Sequence, residues 1–536
     1  TLYLHMGDQS GRYGSGALYD DTINESFNID TSSDGGQILV RSLGETDTYN
    51  ASQVRRIVAT GGKGNDFIYV DRRVNAALDF DGGAGNDGFM VLGGAAGSQI
   101  RGGAGKDEFV GGGRSGLSFW GDAGNDRFIG GEGAESIDMG AGENTIFGGG
   151  GNDVIRISGA VDTVDAGAGD DLITTTLAGV LNLVGGAGDD RLVLDSFSST
   201  APIRLNDHAL VVTTGSGVVR TASFDDSLEQ ITLNDSAATT ALRSGNGASW
   251  GATDLVLDAA GVLDVTQARL VAPQALFSVS AAGITGTLNT ELAELSVVNR
   301  GTAGAASDDI VVREADSLRL VTAGRTNGGL STPGGHIDVA LAGREALLSL
   351  DSGVISTGTG GGSIGIVADD VDFASGNNRV IGTGTLTLRS QAVTQNYRLG
   401  SAAQSAFGVD SSLAGASGFF DLGMRDLSAL ADGFSSISIG HVAPGVLVRI
   451  GDIEDGITGL YSFSARLDDT TRIAGDRIEV VGDVQASQRL TLDARALKIE
   501  RQNIHAPMGA PDAGLRGPDL RLNVAEQILV QGWAIA

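Results

Sequence analysis

One nine-residue pattern recurs nine times between Gly61 and Leu194, and it restricts this chain more than any other feature. The segments read GGKGNDFIY from Gly61, GGAGNDGFM from Gly82, GGAGKDEFV from Gly102 and GDAGNDRFI from Gly121. GGEGAESID from Gly130, MGAGENTIF from Met139, GGGGNDVIR from Gly148, AGAGDDLIT from Ala166 and GGAGDDRLV from Gly185 follow. The sixth position holds Asp66, Asp87, Asp107, Asp126, Glu135, Asn144, Asp153, Asp171 and Asp190. The eighth holds Ile68, Phe89, Phe109, Phe128, Ile137, Ile146, Ile155, Ile173 and Leu192, apolar in every copy. A short repeat with one polar and one apolar column cannot bury its apolar face alone. It must stack on its neighbours.

The columns assign roles. Glycine lets the backbone turn at φ > 0, so the first six residues form a loop with carbonyls free to turn inward. The sixth residue adds a carboxylate. The eighth lies on a short strand with its side chain facing the interior. Carbonyls and carboxylates together suit calcium, a hard cation that takes six to eight oxygens in flexible geometry.

The pattern resembles the RTX repeat, GGxGxDxUx, of calcium-binding parallel β-rolls. The resemblance covers about 135 residues and implies a roll in which each turn has two loops and two strands, with ions between loops stacked on one edge. Carried onto this chain, it implies side-chain ligands from Asp66, Asp87, Asp107, Asp126, Asn144, Asp153, Asp171 and Asp190. It implies carbonyl ligands from Gly61, Gly62, Gly64, Gly82, Gly83, Gly85, Gly102, Gly103, Gly105, Gly121 and Gly124. Gly149, Gly151, Gly167, Gly169, Gly186 and Gly188 complete that set. Some copies depart from the pattern. Asp122 replaces the second glycine, Glu135 is a methylene longer than aspartate, and Asn144 carries no charge. The sites they share are expected to be weaker, and Glu135 and Asn144 read equally well as turn caps.

Spacing sorts the sixth positions. Their intervals are 21, 20, 19, 9, 9, 9, 18 and 19 residues. If a full turn takes two copies of the pattern, long steps stay on one edge and single-copy steps switch edges. Asp66, Asp87, Asp107, Asp126 and Asn144 are then expected on one edge, and Glu135, Asp153, Asp171 and Asp190 on the other. The two rows overlap between Asp126 and Asp153.

Charge and composition agree. The formal net charge is −30, which disfavours nucleic acid as a partner. There is no cysteine, hence no disulfide framework or thiolate metal site. No stretch approaches the ~20 apolar residues of a membrane helix, and no transmembrane segment is expected. The chain starts at Thr1 without a signal peptide and reads as a processed product or a fragment of a longer protein.

Outside the repeats, short alternating runs read as half-buried strands. They include LYLHM at 2–6, QILVRSL at 37–43, DLVLD at 254–258, HIDVAL at 336–341, SIGIV at 363–367 and LRLNV at 520–524. The expected fold is all-β, a parallel RTX β-roll continuing into a right-handed parallel β-helix-like solenoid, with a sandwich as the alternative for the second part. The expected organisation is 1–55 as N-terminal strands or cap and 56–195 as the roll. Connecting strands at 196–240 and a solenoid at 241–536 follow, with 391–435 read as an insertion. There SALADGF at 428–434 reads as a short helix or a protruding loop. The second part resembles the β-helical passengers of bacterial surface proteins and haemagglutinin-like adhesins, on pattern alone.

No catalytic motif is evident. His5, His208, His336, His441 and His505 are dispersed, and none lies in HExxH. The acidic run Asp369, Asp370 and Asp372 could be proposed as catalytic, but VADDVDF reads more simply as a strand end and a turn. The expectation is a secreted, non-enzymatic bacterial structural or adhesive protein. It would be a rod-like part of an adhesin, surface layer or fibre, folding with calcium after type I export. Its expected partners are a second copy or filament of itself, or a cell-surface glycan or protein. A polysaccharide lyase or epimerase with RTX modules, and the stalk of an RTX toxin, are the alternatives.

Overall fold

The computed structural model describes residues 1–5, 23–42, 44–112, 116–197, 201–213, 217–244, 250–326, 328–373, 376–400, 419–450, 464–467, 469–481, 483–500, 514–516 and 518–531. The chain divides into two compact units, Thr1–Ser236 with Gly245–Val256, and Ala237–Ser244 with Leu257–Ala536.

In the first unit two parallel sheets face each other, and the chain alternates between them. One sheet stacks Leu2–His5, Arg56–Lys63, Ala77–Ala84, Gln99–Ala104, Leu117–Ala123, Glu135–Asp138, Val154–Ile157, Leu172–Thr175, Arg191–Phe197 and Gln230–Asp235. The other stacks Ser26–Thr31, Phe67–Val70, Gly88–Val91, Glu108–Gly111, Arg127–Ile129, Glu143–Phe147, Val161–Ala168, Val180–Ala187 and Val219–Ser223. Every eighth-position side chain is buried between them, at 2 % exposure or less. Aromatic side chains in this core form a column: Phe89 stacks on Phe109 at 5.3 Å between ring centroids, Phe109 meets Phe119 edge-on at 5.9 Å, and Phe119 lies 4.9 Å from Phe128. Such pairs add roughly 0.5–1.5 kcal/mol each beyond the apolar area they bury.

Two antiparallel additions flank this stack. Gln37–Ser42 and Glu45–Asn50 extend Ser26–Thr31 as a meander. Ile203–Asn206, Ala209–Thr213 and Val219–Ser223 form a second. Antiparallel neighbours need only tight turns, whereas each parallel neighbour needs a full circuit of the roll.

The second unit has three faces. The long strand Leu288–Asn299 pairs along its length with Ile310–Glu314, then Leu318–Leu320, then Gly329–Ser331. Those three recur as Ile337–Leu341, Leu347–Leu350 and Val354–Ser356. They recur again as Ile364–Ala368, Asp370–Asp372 and Val380–Ile381. Ile310, Ile337 and Ile364 are in register on the first of these ladders. The first ladder continues through Thr385–Ser390, Ser436–Gly440, Thr471–Ala474, Arg489–Glu500 and Asp519–Gln531. These pairings are parallel, so this unit is a solenoid, and the sandwich alternative does not hold. In the segment expected to break the rhythm, a six-residue helix, Met424–Ala429, precedes most of SALADGF. Residues 401–418 of that segment lie outside the described ones.

Candidate calcium-binding rows

Each repeat loop links one sheet of the first unit to the other. Loops starting at Gly61, Gly82, Gly102, Gly121 and Met139 cross in one direction, and those starting at Gly130, Gly148, Ala166 and Gly185 cross back. The sixth residues of each set are joined by one repeated hydrogen bond. On the first edge, the backbone N–H of Asp66 donates to Oδ1 of Asp87 at 2.7 Å, Asp87 to Asp107 at 2.8 Å, Asp107 to Asp126 at 2.9 Å and Asp126 to Asn144 at 2.9 Å. On the second, Glu135 donates to Asp153 at 2.7 Å, Asp153 to Asp171 at 2.7 Å and Asp171 to Asp190 at 2.9 Å. The nine sixth-position residues therefore lie on the two edges that their spacing predicts.

Both rows extend beyond the nine copies. Glu25 N–H donates to Oδ1 of Asp66 at 2.8 Å. Asn144 N–H donates to Oδ1 of Asp162 at 3.0 Å, so Asp162 continues the first row. Asp190 N–H donates to Glu229 Oε2 at 2.6 Å, so Glu229 ends the second. Sequence reasoning missed both. The turn before Asp162, ISGAV, lacks the glycine pairs. Two signals were nonetheless present: Asp162 follows Asn144 at the interval by which Asn144 follows Asp126, and Val164 occupies the apolar column. Glu229 lies 39 residues after Asp190, beyond any repeat spacing.

A second ladder runs through position five in the opposite sense. Asn65 N–H donates to Asn24 Oδ1 at 2.8 Å, Asn86 N–H to Asn65 at 2.7 Å and Lys106 N–H to Asn86 at 2.7 Å. The same bond joins Asp170 to Asn152 and Asp189 to Asp170, each at 3.0 Å.

The ladder uses one carboxylate oxygen and leaves the other. Oδ2 of Asp66, Asp87, Asp107, Asp126, Asp153, Asp162, Asp171 and Asp190 is buried with no hydrogen-bond partner, as are both carboxylate oxygens of Glu135. An unpaired buried oxygen of this kind costs roughly 1–3 kcal/mol, more when charged. Eight aspartates with the same unused atom point to a missing positive partner.

The glycines show where that partner fits. A Cβ on Gly61 would fall within 3 Å of both Asp66 Oδ2 and the carbonyl oxygen of Gly82 in the next loop. The same pair of oxygens surrounds Gly82, Gly121 and Gly148, with carbonyls from Gly102, Met139 and Ala166. At Gly102 the crowding oxygen is Asp107 Oδ2. The first glycine thus keeps open a space lined by oxygen. The second and fourth serve the turn: Gly62, Gly64, Gly83, Gly85, Gly103, Gly105, Gly124, Gly149, Gly151, Gly167, Gly169, Gly186 and Gly188 all have positive φ. Asp122, which replaces a second glycine, takes the same left-handed conformation at φ 68°, which aspartate tolerates better than most residues. Asn144 turns its Nδ2 toward the Gly140 carbonyl at 3.4 Å, where the aspartates leave a bare oxygen.

Electrostatics agree with this geometry. Burial pushes Asp87, Asp126 and Asp171 up to about 6, Asp107 and Asp153 to about 7 and Glu135 to about 8. In the aspartates the N–H donated to Oδ1 opposes the rise, and neighbouring carboxylates add to it. Among the described residues no three His, Cys, Asp or Glu side chains gather round one point. The donor set is instead carboxylate plus backbone carbonyl, the hard-oxygen chemistry that calcium accepts.

A family model of the RTX calcium-binding nonapeptide repeat matches residues 120–155 and 157–175 in four copies. The chain carries RTX calcium-binding repeats. RTX repeats bind calcium, and the hydrogen-bonded rows of this RTX roll extend well past the matched residues, from Asp66 to Asp162 and from Glu135 to Glu229. No curated protein matches the chain.

The dispersed histidines sit in separate surroundings. His208 lies between Asp207 and Asp226, His336 meets Ser363 and His441 meets Tyr397. His5 ends a strand, and His505 lies outside the described residues. In the acidic run, Asp370 is only 2 % exposed, and its Oδ1 accepts N–H groups of Val371 and Asp421. Asp369 Oδ2 accepts the N–H of Glu345. No helix among the described residues is long and apolar enough to cross a membrane.

Proposed function

We propose that this chain is a calcium-stabilised, secreted bacterial structural or adhesive protein, non-catalytic, and part of a larger surface adhesin, surface layer or fibre. One observation carries the reading: two hydrogen-bonded rows in which each aspartate leaves one buried oxygen unpaired. Parallel strands lie about 4.8 Å apart, so without cations the carboxylates of a row repel one another. A cation that binds only the folded rows stabilises them by RT ln(1 + [L]/Kd) per site. Extracellular calcium modules work at Kd of ~10⁻⁴–10⁻³ M. Rows tuned to that range stay open before export and fill afterwards, so folding is timed to arrival outside the cell.

Circular dichroism and thermal melting of the full chain, with millimolar calcium and with chelator, test the calcium dependence. Identical spectra and melting temperatures would sink it. Light scattering with and without calcium tests self-association, and a calcium-supplemented assay on acidic polysaccharides tests the non-catalytic claim. Cleavage there would move the reading to an enzyme.

A further inference from the structure

We propose that the second row ends in a calcium site built half from outside the repeats, by Asp190, the Ser227 carbonyl and Glu229. This rests on calcium occupying the rows. The preceding loop, starting at Gly185, is the last with the repeat pattern, and a run of repeats alone would leave its outer side bare. The structure covers it with residues 224–229, which arrive after the antiparallel strands at 203–223.

That segment copies the features of a repeat loop without its sequence. Glu229 Oε2 accepts the Asp190 N–H at 2.6 Å, the bond made elsewhere by the next aspartate. In return, the N–H groups of Glu229 and Gln230 donate to the Asp190 carbonyl, each at 3.2 Å. Ser227 Oγ accepts the N–H of Gly186 at 2.8 Å. The Ser227 carbonyl takes the place of the next loop's first carbonyl, since a Cβ on Gly185 would fall within 3 Å of both that oxygen and Asp190 Oδ2.

Two observations point to a ligand here. Asp190 is fully buried, and its Oδ2 has no partner. Position one is glycine, so the space stays open, whereas the preceding loop carries Ala166 at that position. An ion held there by Asp190 and Glu229 would pin segment 224–229 to the last repeat. Filling the row would then order a stretch of chain that contains no repeat.

The test uses the full chain and calcium alone as ligand. Glu229→Gln keeps an oxygen for the Asp190 N–H and removes only the charge. Gly185→Ala puts a methyl group into the space and leaves every carboxylate residue unaltered. Isothermal titration is expected to show one ion fewer per chain in each variant. Hydrogen exchange is expected to show at least tenfold calcium-dependent protection of 224–229 in the unaltered chain, reduced in both variants. Unchanged stoichiometry with unchanged protection would overturn the terminal site while leaving the rows intact. An unaltered chain that binds no calcium would instead overturn the functional reading. If either variant fails to fold, the exchange of 224–229 in the unaltered chain decides: no response to calcium refutes the site.

Discussion

Asp107 donates its backbone N–H to Asp126 Oδ1 at 2.9 Å and accepts the N–H of Asp87 on its own Oδ1 at 2.8 Å. The residue therefore ties the loops before and after it while its Oδ2 remains unpaired. One oxygen of the carboxylate holds the loops together, and the other is left for the cation of the proposed function.

This division gives Asp107→Asn opposite effects with and without calcium. Asparagine keeps the ladder through Oδ1, and Asn144 shows that an Nδ2 in that place finds a loop carbonyl. Without calcium the change removes an uncompensated buried charge and raises the melting temperature. With saturating calcium it lowers it by several degrees, because ~1 kcal/mol moves the midpoint of a domain this size by about 2–4 °C. Paired melts in chelator and in calcium check the crossing.

Protons should partly replace calcium. Folding raises these carboxyls from ordinary values of 3.8 and 4.5 to about 7 in Asp107 and Asp153 and about 8 in Glu135. A carboxyl raised by folding holds its proton more tightly in the folded chain. Its contribution is complete below about pH 4 and is lost as pH rises through 6 to 8. The calcium-free roll is thus expected to melt higher at pH 5 than at pH 8. Calcium should restore the loss at pH 8, and a melting temperature in chelator that rises with pH would contradict this.

Two glycines of one loop should fail differently. Gly85 has φ +149°, and a Cβ there would overlap the Gly64 carbonyl. Gly85→Ala is expected to destabilise the roll by more than ~1 kcal/mol in calcium and in chelator alike, because the backbone itself is strained. Gly82 lacks a positive φ, but its Cβ would occupy the space near Asp87 Oδ2 and the Gly102 carbonyl. Gly82→Ala should mainly weaken calcium binding, measured as a shift in the calcium midpoint of folding.

The aromatic column should matter whatever the metal state. Phe109 is fully buried between Phe89 and Phe119. Phe109→Ala removes both contacts and leaves a cavity, for an expected cost of about 3–5 kcal/mol. Denaturant unfolding in saturating calcium measures it.

The sequence alone picked out position six as a carboxylate column and position eight as a core column, and it sorted the rows onto two edges. It could do so because those roles repeat at short, fixed intervals, so local periodicity carries the information. It also marked strands of the second unit such as Ile337–Leu341 and Ile364–Ala368, whose alternation reflects one buried face, but not Leu288–Asn299 or Ile310–Glu314. It did not show which strands pair there. Three-faced coils are long, and a strand such as Leu288–Asn299 is shared among three neighbours, so no short repeat marks the pairing.

Only the tertiary structure decided how the rows continue. Glu229 reaches Asp190 across 39 residues because the circuit that returns it carries an extra antiparallel pair of strands. Asp162 joins the first row although its turn lacks the repeat's glycine pairs. In both cases the partner is a neighbour through the stack and not along the chain. The register of parallel strands fixes that neighbour, and sequence spacing records it only when every turn has nearly the same length.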